Sequence, residues 1–116
     1  MKAILLISHG SHSPKTKKEV ALLIEKMKAG LKGQIVKYAF LEIEQPSIPD
    51  GIDQCVREGA KEILVLLNFL NSGKHVDEDI PRIVKEAAAK HAGVRFQISS
   101  PVGQHPNIVG LFLDMI

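Results

Sequence analysis

Four short apolar runs recur along the chain, at 3–7, 35–41, 63–67 and 94–98. Each is continuous rather than alternating, the pattern of strands covered by helices on both faces. The segments between them carry helical spacing. After Ser13 and Pro14, the residues Val20, Leu23, Ile24 and Met27 fall at i, i+3, i+4 and i+7, and Gly30 stops the helix. Ile52, Cys55 and Val56 predict a shorter helix ended by Gly59. Ile80, Ile83, Val84 and Ala87 predict a third, opened by the acidic turn 77–79 with Pro81 and closed by Gly93. A fourth follows Pro106 and carries Ile108, Val109, Leu111 and Phe112.

Strand and helix thus alternate four times. The expected architecture is α/β: a flavodoxin-like three-layer sandwich around a four-stranded parallel sheet with right-handed crossovers. The 116 residues suit one domain spanning 1–116, with no linker, repeat or low-complexity stretch. A domain of this size buries a modest fraction of its surface, so pairing as a homodimer is expected to add stability. The apolar last six residues read either as a cut end or as a helix that docks against something.

Composition narrows the function classes. Hydrophobic residues at 45% and charged residues at 24% are ordinary for a soluble globular protein. The formal charge of +2 comes from scattered lysines, without an arginine-rich run or an aromatic platform, so no nucleic-acid partner is expected. The first apolar run is too short to cross a bilayer and is followed at once by Ser8-His9-Gly10-Ser11 without a cleavage signal. No membrane partner is expected. The single Cys55 excludes an internal disulfide and a thiolate cluster, and fits a reducing cytoplasm.

Chemistry collects after the strands. His9 follows the first run and Glu42 the second; His75 lies in the loop after the third and His105 in the loop after the fourth. A parallel sheet opens all four loops on its carboxyl edge, where open α/β folds bind ligands. His9 gains weight because Gly10 lets a ligand approach the backbone of a tight turn, and His75 because Gly73 frees the chain just before it. Glu42 follows the apolar Ala39-Phe40-Leu41, and a carboxylate at a buried strand end is costly without a partner or a task. His12 and His105 read more readily as ordinary loop residues, and His91 as a cap or a solvated residue at the end of the third helix.

Two imidazoles converging on a cleft suit cobalt, nickel, iron or zinc, whereas magnesium and calcium prefer oxygen. A structural zinc site would want thiolates, which this chain cannot supply. Two or three histidines with open positions describe an exchangeable ion, as an enzyme that inserts a metal needs. Such an enzyme also collects two pyrrole N–H protons, and Glu42 or a neutral histidine could take them. A histidine phosphatase would want an arginine just before His9-Gly10, where Ser8 stands. A non-catalytic metal or tetrapyrrole carrier is a second rival; the candidate base favours the enzyme.

At this point the motifs become specific. Ser8-His9-Gly10-Ser11, Phe40-Leu41-Glu42-Ile43, the segment 46–52 and above all the block 69–81, with Phe-Leu, Gly-x-His-Val and Asp-Ile-Pro, resemble the small archaeal sirohydrochlorin cobaltochelatases of the class II chelatase family. The similarity runs from the first strand to Pro106. The resemblance implies a half-chelatase, pairing as a homodimer, that inserts Co2+ into sirohydrochlorin without ATP in cobalamin and related tetrapyrrole biosynthesis. Nickel or iron insertion into the same substrate is the alternative. It implies His9 and His75 as metal ligands, His9 also as the proton acceptor and Glu42 as a residue lining the pocket; with Glu42 as the candidate base read above, His9 and Glu42 are the expected catalytic residues. Gln45 and the loop Leu70, Asn71, Ser72, Gly73, Lys74 and His75 would line the tetrapyrrole pocket. No cofactor is expected to be permanently bound, the divalent metal being a co-substrate. Where relatives often carry arginine after His-Gly-Ser, this chain has His12.

Overall fold

A computed structural model describes residues 1–116. Four strands, β1 (Lys2–Ser8), β2 (Ile35–Phe40), β3 (Glu62–Leu67) and β4 (Arg95–Pro101), alternate with helices α1 (Pro14–Ala29), α2 (Ile48–Arg57), α3 (Ile80–Ala88) and α4 (Ile108–Asp114). The sheet is wholly parallel, in the order β2-β1-β3-β4. The chain steps outward from β1 to β2 and then back across β1 to β3, so the winding reverses between β1 and β3. That is the switch point at which α/β sheets of this order open a crevice.

Local signals set the helix starts. Ser13 caps α1 by accepting from Lys15 N at 3.3 Å, with Pro14 in the first turn; Ser47 caps α2 through Asp50 N, also at 3.3 Å. Gly51 is required for a different reason. A Cβ there would lie 2.9 Å from Ala39 Cβ and 3.1 Å from Leu5 Cδ1, so its absence lets α2 sit close on β1 and β2.

The core is asymmetric. On one face α2 and α3 bury a continuous cluster that includes Leu5, Ile7, Ile48, Ile52, Ile63, Val65 and Ile80. On the other, α1 alone covers the sheet, through Val20 and Ile24 against Leu6, Val36 and Phe40. Strand β1, central between two neighbours, is buried from Ala3 to Ser8. The expectation that every strand is covered twice therefore fails toward the β4 edge: β3 alternates between buried and half-buried residues, and in β4 only Pro101 is buried. Leu23 is likewise not a core residue but 40% exposed, beside the sheet that α1 does not reach.

Strand β4 begins one residue later than its apolar run and continues to Pro101 through two serines. Ser99 Oγ accepts from Leu67 N at 3.2 Å where the β3–β4 register shifts, so a side chain takes over the ladder that the polar sequence conceals. The fourth helix forms where expected, but α4 buries none of its residues and packs chiefly against the short 3-10 turn Val102–Gln104. Val109, Leu111, Phe112 and Leu113 on it are 55–62% exposed. No helix is long and apolar enough to cross a membrane.

Cys55 is fully buried in the larger cluster, and burial pushes its thiol up to about 11 from 9.0. A folded-state value above the unfolded one stabilises the fold below about pH 9, and that contribution is lost as pH rises from about 9 toward 11. Native protein at pH 8 is therefore expected to resist Ellman's reagent and to react fully once unfolded in guanidinium. Rapid reaction of the native thiol would contradict this placement.

Candidate functional site

His9 leaves the carboxyl end of β1 and Glu42 that of β2, two residues past its last ladder position. The two loops are joined through the backbone: Leu41 N donates to Ser8 O at 2.9 Å and Glu42 N to His9 O at 3.1 Å. The approach is closest at Gly10, which has φ of +102°; a Cβ there would fall 1.9 Å from the Glu42 carbonyl oxygen. Glycine at position 10 is thus what lets these two loops meet.

The side chains then face one another. His9 Nδ1 donates to Gly10 O at 3.0 Å, which leaves Nε2 pointing outward, and Nε2 lies 2.8 Å from Glu42 Oε1. Nε2 and a carboxylate oxygen at that distance share one hydrogen between them. Glu42 is not buried, as its position after an apolar run suggested; its side chain is about half exposed and its partner is His9.

His75 comes from the neighbouring strand on the other side. It opens a π-helical turn, His75–Asp79, that leads directly into α3, with Ile80 N bonded back to His75 O. The wide turn aligns His75 with Asp79, whose Oδ2 accepts from His75 Nδ1 at 2.7 Å. That bond fixes the ring so that Nε2 is again the free nitrogen. The His9 and His75 rings lie 5.2 Å apart between centroids. One ligand atom from each of His9, Glu42 and His75 can be chosen with all three within 4.8 Å of one another. Two imidazole nitrogens and one carboxylate oxygen, all open to solvent on one side, form a donor set for a borderline divalent transition ion with free coordination positions.

The remaining expected residues fall around this cluster rather than in it. Leu70, Asn71, Ser72, Gly73 and Lys74 form an exposed loop running into His75. Gln45 lines a separate polar cleft of about 480 Å³ with Lys17, Asp50, Asp53 and Arg57. His105 accepts from Asn107 N at 3.0 Å and borders an apolar groove between α1 and β4, and His12 is exposed; neither joins the cluster. His91 is neither a cap nor solvated: its Nε2 contacts Asp53 Oδ1 at 2.8 Å and ties the end of α3 to α2.

Four supporting groups escape a reading of the sequence. Asp79 orients His75, and in the sequence it is one of three acidic residues read only as a helix opening. Glu44 Oε1 accepts from Ser11 N at 2.9 Å and braces the β1–α1 turn. Gly103 N donates to Phe69 O at 3.0 Å and Gln104 Nε2 to Leu70 O at 2.9 Å, clamping the loop before His75. A Cβ at Gly103 would sit 2.0 Å from the Leu70 carbonyl oxygen, so this contact also depends on glycine.

Comparison with known proteins places these features in company. The sequence profile of the CbiX family matches residues 3–116. The chain is 32% identical over 108 residues to the sirohydrochlorin ferrochelatase of Bacillus subtilis (strain 168), covering 93% of this chain and 41% of that protein. It is 31% identical over 114 residues to the sirohydrochlorin cobaltochelatase of Sulfolobus acidocaldarius, covering 98% of this chain and 89% of that one. The chain spans 41–59% of the length of the first three curated relatives it matches. Among solved structures, the sirohydrochlorin chelatase SirB from Bacillus subtilis subspecies spizizenii in complex with cobalt superposes with a TM-score of 0.89 at 31% identity, over 98% of this chain and 49% of that one. A protein from Marinobacter aquaeolei VT8 shares the fold, with a TM-score of 0.85 at 23% identity.

The contact at position 10 is open to direct test. Gly10→Ala combines a left-handed backbone with a collision against the Glu42 carbonyl, and is expected to cost about 3 kcal/mol of stability. Chemical denaturation measures it; a loss below about 0.5 kcal/mol would show that the loops do not meet as described.

Proposed function

The chain belongs to the CbiX family, and on that premise we propose that it is an ATP-independent sirohydrochlorin chelatase, a lyase that exchanges two ring protons for a divalent metal, with Co2+ as its ion. The observation that carries this reading is the convergence of His9, Glu42 and His75 at the mouth between β1 and its two neighbours. Cobalt is favoured by the cobaltochelatase of Sulfolobus acidocaldarius, a relative of which this chain covers 89% of the length, whereas the ferrochelatase of Bacillus subtilis is more than twice as long. Nickel and iron fit the same donors and are the alternatives.

In this reading His9 and His75 present Nε2 to the metal, each steadied through Nδ1, His9 by the Gly10 carbonyl and His75 by Asp79. Loading the ion displaces the hydrogen shared by His9 and Glu42. Delivery into the macrocycle then vacates the same atoms as the two pyrrole N–H groups release their protons, so His9 Nε2 and Glu42 can each receive one, and one of the two passes on to solvent to restore the single shared hydrogen. The ring gains one divalent charge and loses two protons. Metal and protons trade places across a few ångströms, which keeps the charge of the site nearly constant. The open side of the cluster suits a flat ring held against the loop that carries Leu70, while Asn71, Ser72 and Lys74 can meet its peripheral carboxylates. Lys15, Lys17 and Lys18 near the start of α1 are read as a solvated helix face, Lys17 lining the separate polar cleft with Gln45.

We further propose that two copies act together. An α-helix that is apolar on several sides needs cover all round, and α4 has little of it in one copy. The groove between α1 and β4, lined by Leu23, Met27, Leu66, Val102 and Pro106, is an apolar surface of matching character on the same chain.

Three measurements test these readings. Purified protein with Co2+ and metal-free sirohydrochlorin is expected to form the cobalt product, followed by its visible spectrum, faster than the uncatalysed reaction and faster than with Ni2+ or Fe2+. Equal catalysed and spontaneous rates would end the proposal. His9→Ala and His75→Ala are each expected to lower the insertion rate at least about 100-fold with an unchanged circular dichroism spectrum; a variant that turns over normally removes that histidine from the site. Sedimentation at micromolar concentration should give a dimer that Phe112→Asp weakens, and a wild-type monomer would refute the pairing.

A further inference from the structure

The loop that presents Glu42 contains one feature that neither metal binding nor the fold requires. Ile43 has φ of +72°, and Glu44 N donates across it to Glu42 O at 2.8 Å, closing a three-residue γ-turn of the left-handed kind. A β-branched residue is the worst suited to that backbone, which glycine or asparagine would adopt readily. Core packing does not account for it: the Ile43 side chain belongs to neither core cluster and is 49% exposed. The turn is also braced on both flanks, by Glu44 on Ser11 N and by the Glu42 carbonyl against Gly10. An apolar side chain is thus held outward next to a cluster of metal donors, in a conformation that its own chemistry opposes.

We propose that Ile43 is a substrate-contact residue, an apolar lip that packs against the macrocycle and selects for a large flat ring over smaller metal chelators. It stands next to Glu42 on the rim, and Leu70, 59% exposed, offers a second apolar lip from the loop that leads to His75. A ring delivered to the open side of the donors meets apolar surface from both loops. The strain at Ile43 is held by the hydrogen bonds on its flanks, which keep the side chain in place before substrate arrives. This inference rests on the chelatase reading and deepens it by naming a residue that grips the ring without touching the metal.

Substitution separates grip from metal binding. Ile43→Gly and Ile43→Asn both suit the left-handed backbone and both remove the apolar group, so each should raise the melting temperature by about 5 °C. Each should weaken sirohydrochlorin binding, measured by absorbance titration without metal, about tenfold. The loss in kcat/KM should appear in KM rather than in kcat, and the affinity for Co2+ alone, measured by calorimetry, should stay within about twofold of wild type. Ile43→Val keeps the branched apolar group and should retain wild-type affinity for the ring. Wild-type ring affinity in both the Gly and Asn variants overturns the proposal. A Co2+ affinity that falls in step with ring affinity overturns it as well, because Ile43 would then act only by shaping the Glu42 turn. Wild-type protein that fails to bind sirohydrochlorin at all defeats the chelatase reading itself, an outcome visible before any variant is made.

Discussion

Parallel pairing on both edges of β1 is the constraint from which the rest follows. Because β2 and β3 run alongside β1 in the same direction, the loops after all three leave the sheet at one edge. His9, Glu42 and His75 are 33 residues apart at each step, so nothing local brings them together. The strands do. Burial of β1 from Ala3 to Ser8 fixes the register, since a shift by one residue would turn its side chains to the wrong faces. Core packing and donor geometry are therefore set by the same alignment.

Much of this was legible in the residues. The four apolar runs and the helical spacing between them gave the alternation, and alternation implied a parallel sheet with one functional edge. His9 and His75 stood out because each precedes or follows a glycine in a loop at that edge. The groups that aim them did not. Asp79 sits in an acidic stretch, Asp77-Glu78-Asp79, that reads as a helix opening, and only the π-helical turn singles out its third member. Gly103 and Gln104 act from the turn after the far strand, on backbone carbonyls of the loop before His75, which leave no trace in side-chain pattern. Glu42 was found for a partly mistaken reason: it is solvent-facing, and its significance lies in the 2.8 Å contact with His9.

Periodicity also overstated the core. It treats every apolar run as equally enclosed, whereas the number of helices on a face decides how many strands are covered. Here α2 and α3 share one face and α1 has the other to itself, so β3 and β4 lie partly bare beside α1. Leu23 has the spacing of a core residue and lines a groove instead, while Met27 packs against the smaller cluster and borders the same groove. The same shortage leaves α4 largely without cover, and the proposed pairing rests on the presence of both kinds of surface on one chain.

The π-helical turn has a consequence of phase. One residue more than an α-turn is spent between His75 and Ile80, yet Ile80 is fully buried and α3 is anchored by it and by Val84 and Ala87. The extra residue is thus carried wholly on the site side of that anchor. Removing it would restore ordinary helical winding and, with α3 held in place by its core contacts, turn His75 by about 100° about the helix axis, away from His9. Sequence length in this short stretch, more than its composition, sets the direction in which the second imidazole looks.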